Sequence, residues 1–216
     1  MLKKGECAMS REREFVSSVV KNLSEVGEDV ELYWIDHPSE LQMALAVLGK
    51  IPSPNLVAWK TIKLGTGLKT ADDFRKAIKD RGMKINDWAN DILGKPQFTV
   101  ATEETEVDLV VISVAELGFK DGAKLKDIYA RVKELGIEPC PNEVGPQLRL
   151  QYADQPEGEW LIIGMEPIAG SGGGLELFSV WRDGSGLWLR GDCDSPDYVW
   201  DGDCRFVFVR PRKYQK

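Results

Sequence analysis

Apolar residues recur at helical spacing early in the chain. Phe15, Val16, Val19, Val20, Leu23 and Val26 fall on one face of a predicted helix. Ser39 is a candidate N-cap for a second helix carrying Leu41, Ala44, Leu45, Val47 and Leu48, which stops at Gly49. Ile51 to Asn55 holds two prolines and reads as a turn or linker. Trp59 to Leu64 reads as a short strand. Thr70, with Asp72 and Asp73 in the first turn, opens a helix bearing Phe74, Ala77 and Ile78, and Gly82 stops it. Ile85 to Leu93 predicts a further short helix closed by Gly94. These two short helices have the outline of a helix-turn-helix, but Asp87 and Asp91 on the second would repel phosphates.

From Phe98 the pattern changes. Phe98 to Ala101 is β-rich, and Val107 to Val114 is apolar enough for a buried strand. Lys124 to Leu135 predicts a helix with Leu125, Ile128, Val132 and Leu135 on one face, and a short helix is expected across Asn142 to Leu150. Strands and turns follow: Trp160 to Met165, a glycine-rich turn at 170–174, Leu175 to Trp181, a turn at 182–186, Leu187 to Leu189, and finally Phe206 to Val209. Between the last two strands, Arg190 to Arg205 reads as a long loop of small, polar and acidic residues. There is no internal repeat.

This order predicts an α+β fold: a mainly helical N-terminal region over 1–97, followed by a mainly antiparallel β-domain over 98–216. A hydrophobic fraction of 43% with 29% charged residues is enough for a sizeable core. The net charge of −7 argues against nucleic-acid backbones and anionic membranes as partners, and no apolar run reaches the length of a membrane span. The N-terminus lacks the apolar core of a secretory signal, so the expected location is cytoplasmic. The cysteines, Cys7, Cys140, Cys193 and Cys204, form no metal-binding pattern and are expected as thiols, although Cys193 and Cys204 lie close enough in sequence to pair in an oxidising setting. With His37 the only histidine, much hydrolytic and metal chemistry loses its usual residue.

Gly186-Leu-Trp-Leu189, Pro196-Asp197, Trp200-Asp201 and the terminal Arg205-Phe-Val-Phe-Val-Arg210 resemble the variable proteins of diversity-generating retroelements. These carry a C-type-lectin fold of the formylglycine-generating-enzyme kind. The resemblance covers about 98–213, and its specific part begins at Phe178. It implies that adenines of asparagine codons in the last part of the gene are rewritten, and that the altered side chains form one exposed ligand-binding face. Such rewriting never yields Lys, Glu, Gln, Met or Trp. The segment 178–212 contains none of the first four, and Trp181, Trp188 and Trp200 would be fixed.

The loop itself supports a display role. A long irregular loop between strands is usually functional, and indoles at its ends can brace it. The expected ligand contacts are Arg190, Gly191, Asp192, Cys193, Asp194, Ser195, Tyr198, Val199, Asp203 and Cys204, with Trp188 and Trp200 as structural supports. Asp192, Asp194, Asp197, Asp201 and Asp203 are dense enough to suggest calcium, but their spacing fits neither an EF-hand nor a sugar-binding calcium lectin. The segment 170–174 lacks the ending of a phosphate loop. The expected function is therefore non-catalytic binding of a protein or other macromolecular ligand, without cofactor or metal; the sequence leaves the oligomeric state open. The alternatives are an enzyme or enzyme accessory with its activity in the N-terminal helices, and a self-associating adaptor.

Overall fold

The structure, a computed structural model, describes residues 57–195 and 197–211, with the backbone alone at 193 and 194. The helices expected at 15–26 and 41–48, the turn at 51–55, His37 and Cys7 lie outside the described residues.

The strands are β1 (Lys60–Leu64), β2 (Lys84–Ile85), β3 (Thr105–Ser113), β4 (Ala123–Lys124), β5 (Trp160–Ile163), β6 (Ile168–Ala169), β7 (Leu175–Asp183), β8 (Gly186–Asp194), β9 (Val199–Trp200) and β10 (Arg205–Arg210). Four short helices are interspersed: α1 (Ala71–Asp80), α2 (Asp87–Leu93), α3 (Leu125–Glu134) and α4 (Val144–Gln151). The main sheet runs β1-β3-β10-β5-β7-β8-β2, with β6 paired to one end of β7; β4 and β9 form a separate ribbon.

This corrects the expected fold class. The described residues are mainly β, in one mixed sheet curled into a half-barrel, and not a helical region followed by a lectin-like antiparallel domain. Residues 57–97, assigned to the helical region, contribute β1 and β2 to that sheet. Two pairings are parallel, β10 with β5 and β2 with β8. Parallel pairing joins segments distant in sequence, so no local periodicity announces it.

Local signals account for the helices. Thr70 caps α1 by accepting from the Asp73 amide at 3.2 Å, while the Asp73 carboxylate accepts from the Thr70 amide at 2.9 Å. Asn86 caps α2 by accepting from the Ala89 amide at 2.9 Å. Residues 98–101, read as β, form no strand. There Thr99 and Ala101 donate their amides to the side chains of Asn142 and Glu143, so acceptors ahead of α4 replace a strand partner.

The sheet curls around α4, which touches β1 on one side and β7 and β8 on the other. Its residues Val144 to Leu150 are all buried. Gly145 allows the close approach: a Cβ there would stand 2.6 Å from the Cβ of Phe178. Arg149 is fully buried at the far end of this helix. Its guanidinium donates to Gln155 Oε1 and to the carbonyls of Tyr152 and, at 3.5 Å, Trp188. Burial lowers its pKa to about 10. Gln151, the last residue of α4, donates to the Lys63 carbonyl at 2.8 Å and accepts from the Lys63 amide at 2.9 Å.

The opposite face of the sheet is covered unevenly. Against β10 lies α3, whose Tyr129 meets Phe208 edge-on at 6.0 Å. Over β5, β7 and β8 the sheet carries large half-buried side chains, and the 195–204 loop folds back beside them.

Candidate binding surface

The register of the sheet assembles this surface. Trp160 of β5 pairs with Trp181 of β7, Trp181 pairs with Trp188 of β8, and Trp188 pairs with Lys84 of β2. Directly paired residues share a face, so three indoles and a lysine form one row across four neighbouring strands. In the next row, Ile162 and Arg190 flank Ser179, and beyond it Leu177 pairs with Asp192.

Each indole of the row is held in place. Trp160 donates its Nε1 to Asp192 at 3.2 Å. Trp188 donates to Asp183 at 3.2 Å and to the Ser185 hydroxyl at 3.0 Å. The Arg190 guanidinium lies over Trp181 at 4.5 Å, and the Lys84 ammonium over Trp188 at 5.0 Å. The Ser185 and Trp188 contacts hold the Asp183 carboxyl below the usual range, the Ser185 hydroxyl contributing most. Among the buried polar atoms of the described residues that lack a partner are Ser179 Oγ and Arg190 Nε, which belong to one cross-strand pair.

The loop forms one border. Trp200 is wholly buried, with Tyr198 at 4.9 Å, Phe206 at 5.2 Å and Trp160 at 6.4 Å. Its backbone pairs with Ala123 in the β4–β9 ribbon. Tyr198 and Val199 are among the few exposed large apolar side chains, at 45% and 46%. Asp197 is tied to Lys124 at 2.8 Å, which depresses its pKa. The Tyr198 phenol is pushed up, first by partial burial and then by negative charge, including that of Asp201 and Asp192.

The ten expected contact residues are not all brought together. Ser195, Tyr198, Val199 and Asp203 are exposed, while Arg190 and Asp192 are half-buried on the tryptophan face. Gly191 is buried and points to the other face, where a Cβ would stand 2.8 Å from the Cβ of Trp88 and 2.9 Å from the Ala89 amide nitrogen. Cys204 is a buried free thiol, its pKa raised mainly by burial. The side chains of Cys193 and Asp194 lie outside the described residues. The loop is shorter than read, because β8 runs on through Asp194 in register with β7. Of the two expected supports, Trp200 sits in the core; Trp188 is half-buried within the row itself.

Trp160, Trp181 and Lys84 were missed as site residues. For Trp181 and Trp188 a signal exists: they stand symmetrically about the turn at Gly184-Ser185, as partners in a hairpin must. Among the described residues no group of three His, Cys, Asp or Glu is placed to hold a metal ion, and no helix is long and apolar enough to cross a membrane. Comparison with protein-family models, with curated proteins and with solved structures found no match.

Proposed function

We infer that the chain is a ligand-binding protein whose recognition surface is the tryptophan-bearing face of β5, β7 and β8 together with the exposed side of the 195–204 loop. The observation that carries this is the cross-strand row Trp160–Trp181–Trp188, ending at Lys84. Large aromatic groups on a braced sheet offer contact area at small entropic cost, the usual chemistry of a recognition surface. Non-catalytic binding suits the ionisable groups nearby. Asp192 and Asp183 are engaged by indole N–H groups, Asp197 by a lysine, and the Cys204 thiol is held protonated.

If the surface is diversified as the retroelement resemblance implies, the freedom to change belongs to Ser195, Tyr198, Val199 and Asp203. Gly191 has no room for a side chain. The source genome would then hold a near-copy of the segment encoding 178–212 that differs almost only at adenines.

The test is a thermal-shift screen of oligosaccharides, peptides and nucleotides against the wild-type chain and the Trp181→Ala and Tyr198→Ala variants. Ligands that stabilise the wild type are expected to lose that effect in the variants and to be recovered chemically unchanged. Equal stabilisation of all three proteins, or turnover of the ligand, would reject the reading.

A further inference from the structure

We propose that the cleft between the loop at 65–69 and the segment 100–102 is a second binding site, for a small phosphate monoester with an uncharged, largely apolar body. No residue of the tryptophan row lines this cleft, so the proposal stands apart from the function inferred above.

The cleft holds about 370 Å³, within the range of roughly 300–1,000 Å³ usual for small-molecule sites. One buried residue ties its two walls together from behind. Glu143, just ahead of α4, accepts the Gly65 amide at 2.9 Å on one oxygen and the Ala101 amide at 2.8 Å on the other. Gln147 Nε2 also donates to it at 2.9 Å, so this carboxylate is well supplied with donors. Gly65 stands at φ +64°, and a Cβ there would meet the Glu103 carbonyl oxygen at 2.2 Å, so that wall keeps its shape only with glycine. At Gly67, by contrast, nothing stands within 4 Å of where a Cβ would be, and the cleft is open there.

The lining residues carry mostly donors. Among the described residues, the amides of Gly67, Leu68, Val100 and Thr102 bond no other group, and the exposed Lys69 ammonium forms no hydrogen bond or ion pair. Neighbouring acids are engaged or screened. Asp73 accepts the Lys69 amide at 3.0 Å and the Thr70 amide at 2.9 Å, Glu104 pairs with Lys63 at 2.8 Å, and Glu103 is exposed to water. The N-terminus of α1 is not the site, since Asp73 already fills it. Unpaired N–H groups beside an ammonium make a hollow suited to an anion. Their number favours phosphate, which offers three strong acceptor oxygens and nearly two negative charges, over a carboxylate with two oxygens and one charge. The half-buried side chains of Leu68, Val100 and Ala101 leave the rest of the cleft apolar, so the group esterified to the phosphate should carry no charge of its own.

The test is an amide-resolved NMR titration of the full chain with phenyl phosphate, with inorganic phosphate, benzoate and phenol as comparators. Phenyl phosphate is expected to give saturable shifts centred on the amides of Gly67, Leu68, Val100 and Thr102. It should bind at least about tenfold more tightly than the other three. Lys69→Met should weaken it by about tenfold, through loss of a charge-assisted hydrogen bond. Lys79→Met removes an equal charge from α1 outside the cleft and should leave the affinity unchanged. Both lysines are exposed, so both variants should fold, and the dispersion of their spectra checks it. No saturable shift, shifts centred elsewhere, or equal weakening in the two lysine variants overturns the proposal. Benzoate bound as tightly as phenyl phosphate would overturn the choice of phosphate, and inorganic phosphate bound as tightly would overturn the apolar body.

Discussion

The side-chain amide of Gln151 bonds both backbone groups of Lys63, donating to its carbonyl at 2.8 Å and accepting from its amide at 2.9 Å. A single helix residue thereby acts as a strand partner for the outermost strand, β1. An unpaired strand edge is a template for pairing with another chain, and this contact blunts it. Gln151→Met keeps the length of the side chain but removes both bonds. It is expected to cost about 1–3 kcal/mol in denaturant unfolding and to raise the tendency to associate, read by light scattering. Unchanged stability together with unchanged scattering would show that the contact is incidental.

Gly191 gives a test that separates scaffold from display. Its amide is held by Asn86 Oδ1 at 2.9 Å, and the start of α2 lies where a Cβ would go. Gly191→Ala must push backbone or a buried side chain aside, for an expected loss of about 1–3 kcal/mol. Ser195→Ala, on the exposed loop, should leave the unfolding midpoint unchanged. Similar midpoints for both variants would contradict the packing described here.

Trp200 and Tyr198 touch each other but should behave as opposites. Removing the buried indole in Trp200→Ala is expected to cost about 3–5 kcal/mol, since it empties a site lined by Trp160 and Phe206. Tyr198→Ala should have a much smaller effect on stability and a large one on binding. Reversal of that order in thermal melts would place the phenol, not the indole, in the core.

Glu176 predicts a pH dependence. It is buried, its Oε2 has no partner, and burial followed by the charges of Asp192 and Asp91 raises its pKa. The folded chain therefore holds this proton more tightly than the unfolded chain does. The sign follows: stability is greater below the ordinary carboxylate range and falls as pH rises through the raised value. Glu176→Gln should be more stable than the wild type near neutral pH and should flatten this decline. Denaturant unfolding across the mildly acidic to neutral range tests it, and a variant less stable at every pH would reject it.

What could be read from the sequence was local. The capping box at Thr70, the β-branched run of β3 and the apolar face of α3 each declare themselves within a few residues. The continuation of β8 did not. Gly191-Asp192-Cys193-Asp194 has poor β propensity and reads as loop, yet pairing along the whole of β7 and the Asn86 contact hold it extended. The tryptophan row was hidden for a related reason. Its members come from strands far apart in the chain, and only the Trp181–Trp188 pair stands within reach of one turn. The half-barrel itself depends on parallel neighbours, whose register leaves no trace in local periodicity.

The place of β10 in the sheet order bears on how the molecule assembles. This strand lies between β3 and β5, so it alone links the β1–β3 pair to the β5–β7–β8 group, and it comes last among the described strands. Two subassemblies can form early from contacts close in sequence, but their union waits for the final stretch. Folding should accordingly be slow for the size of the chain, as expected where long loops must close before their contacts form. A nascent chain stalled before Arg205 would expose two raw strand borders, at β3 and at β5, and would be a natural client for chaperones.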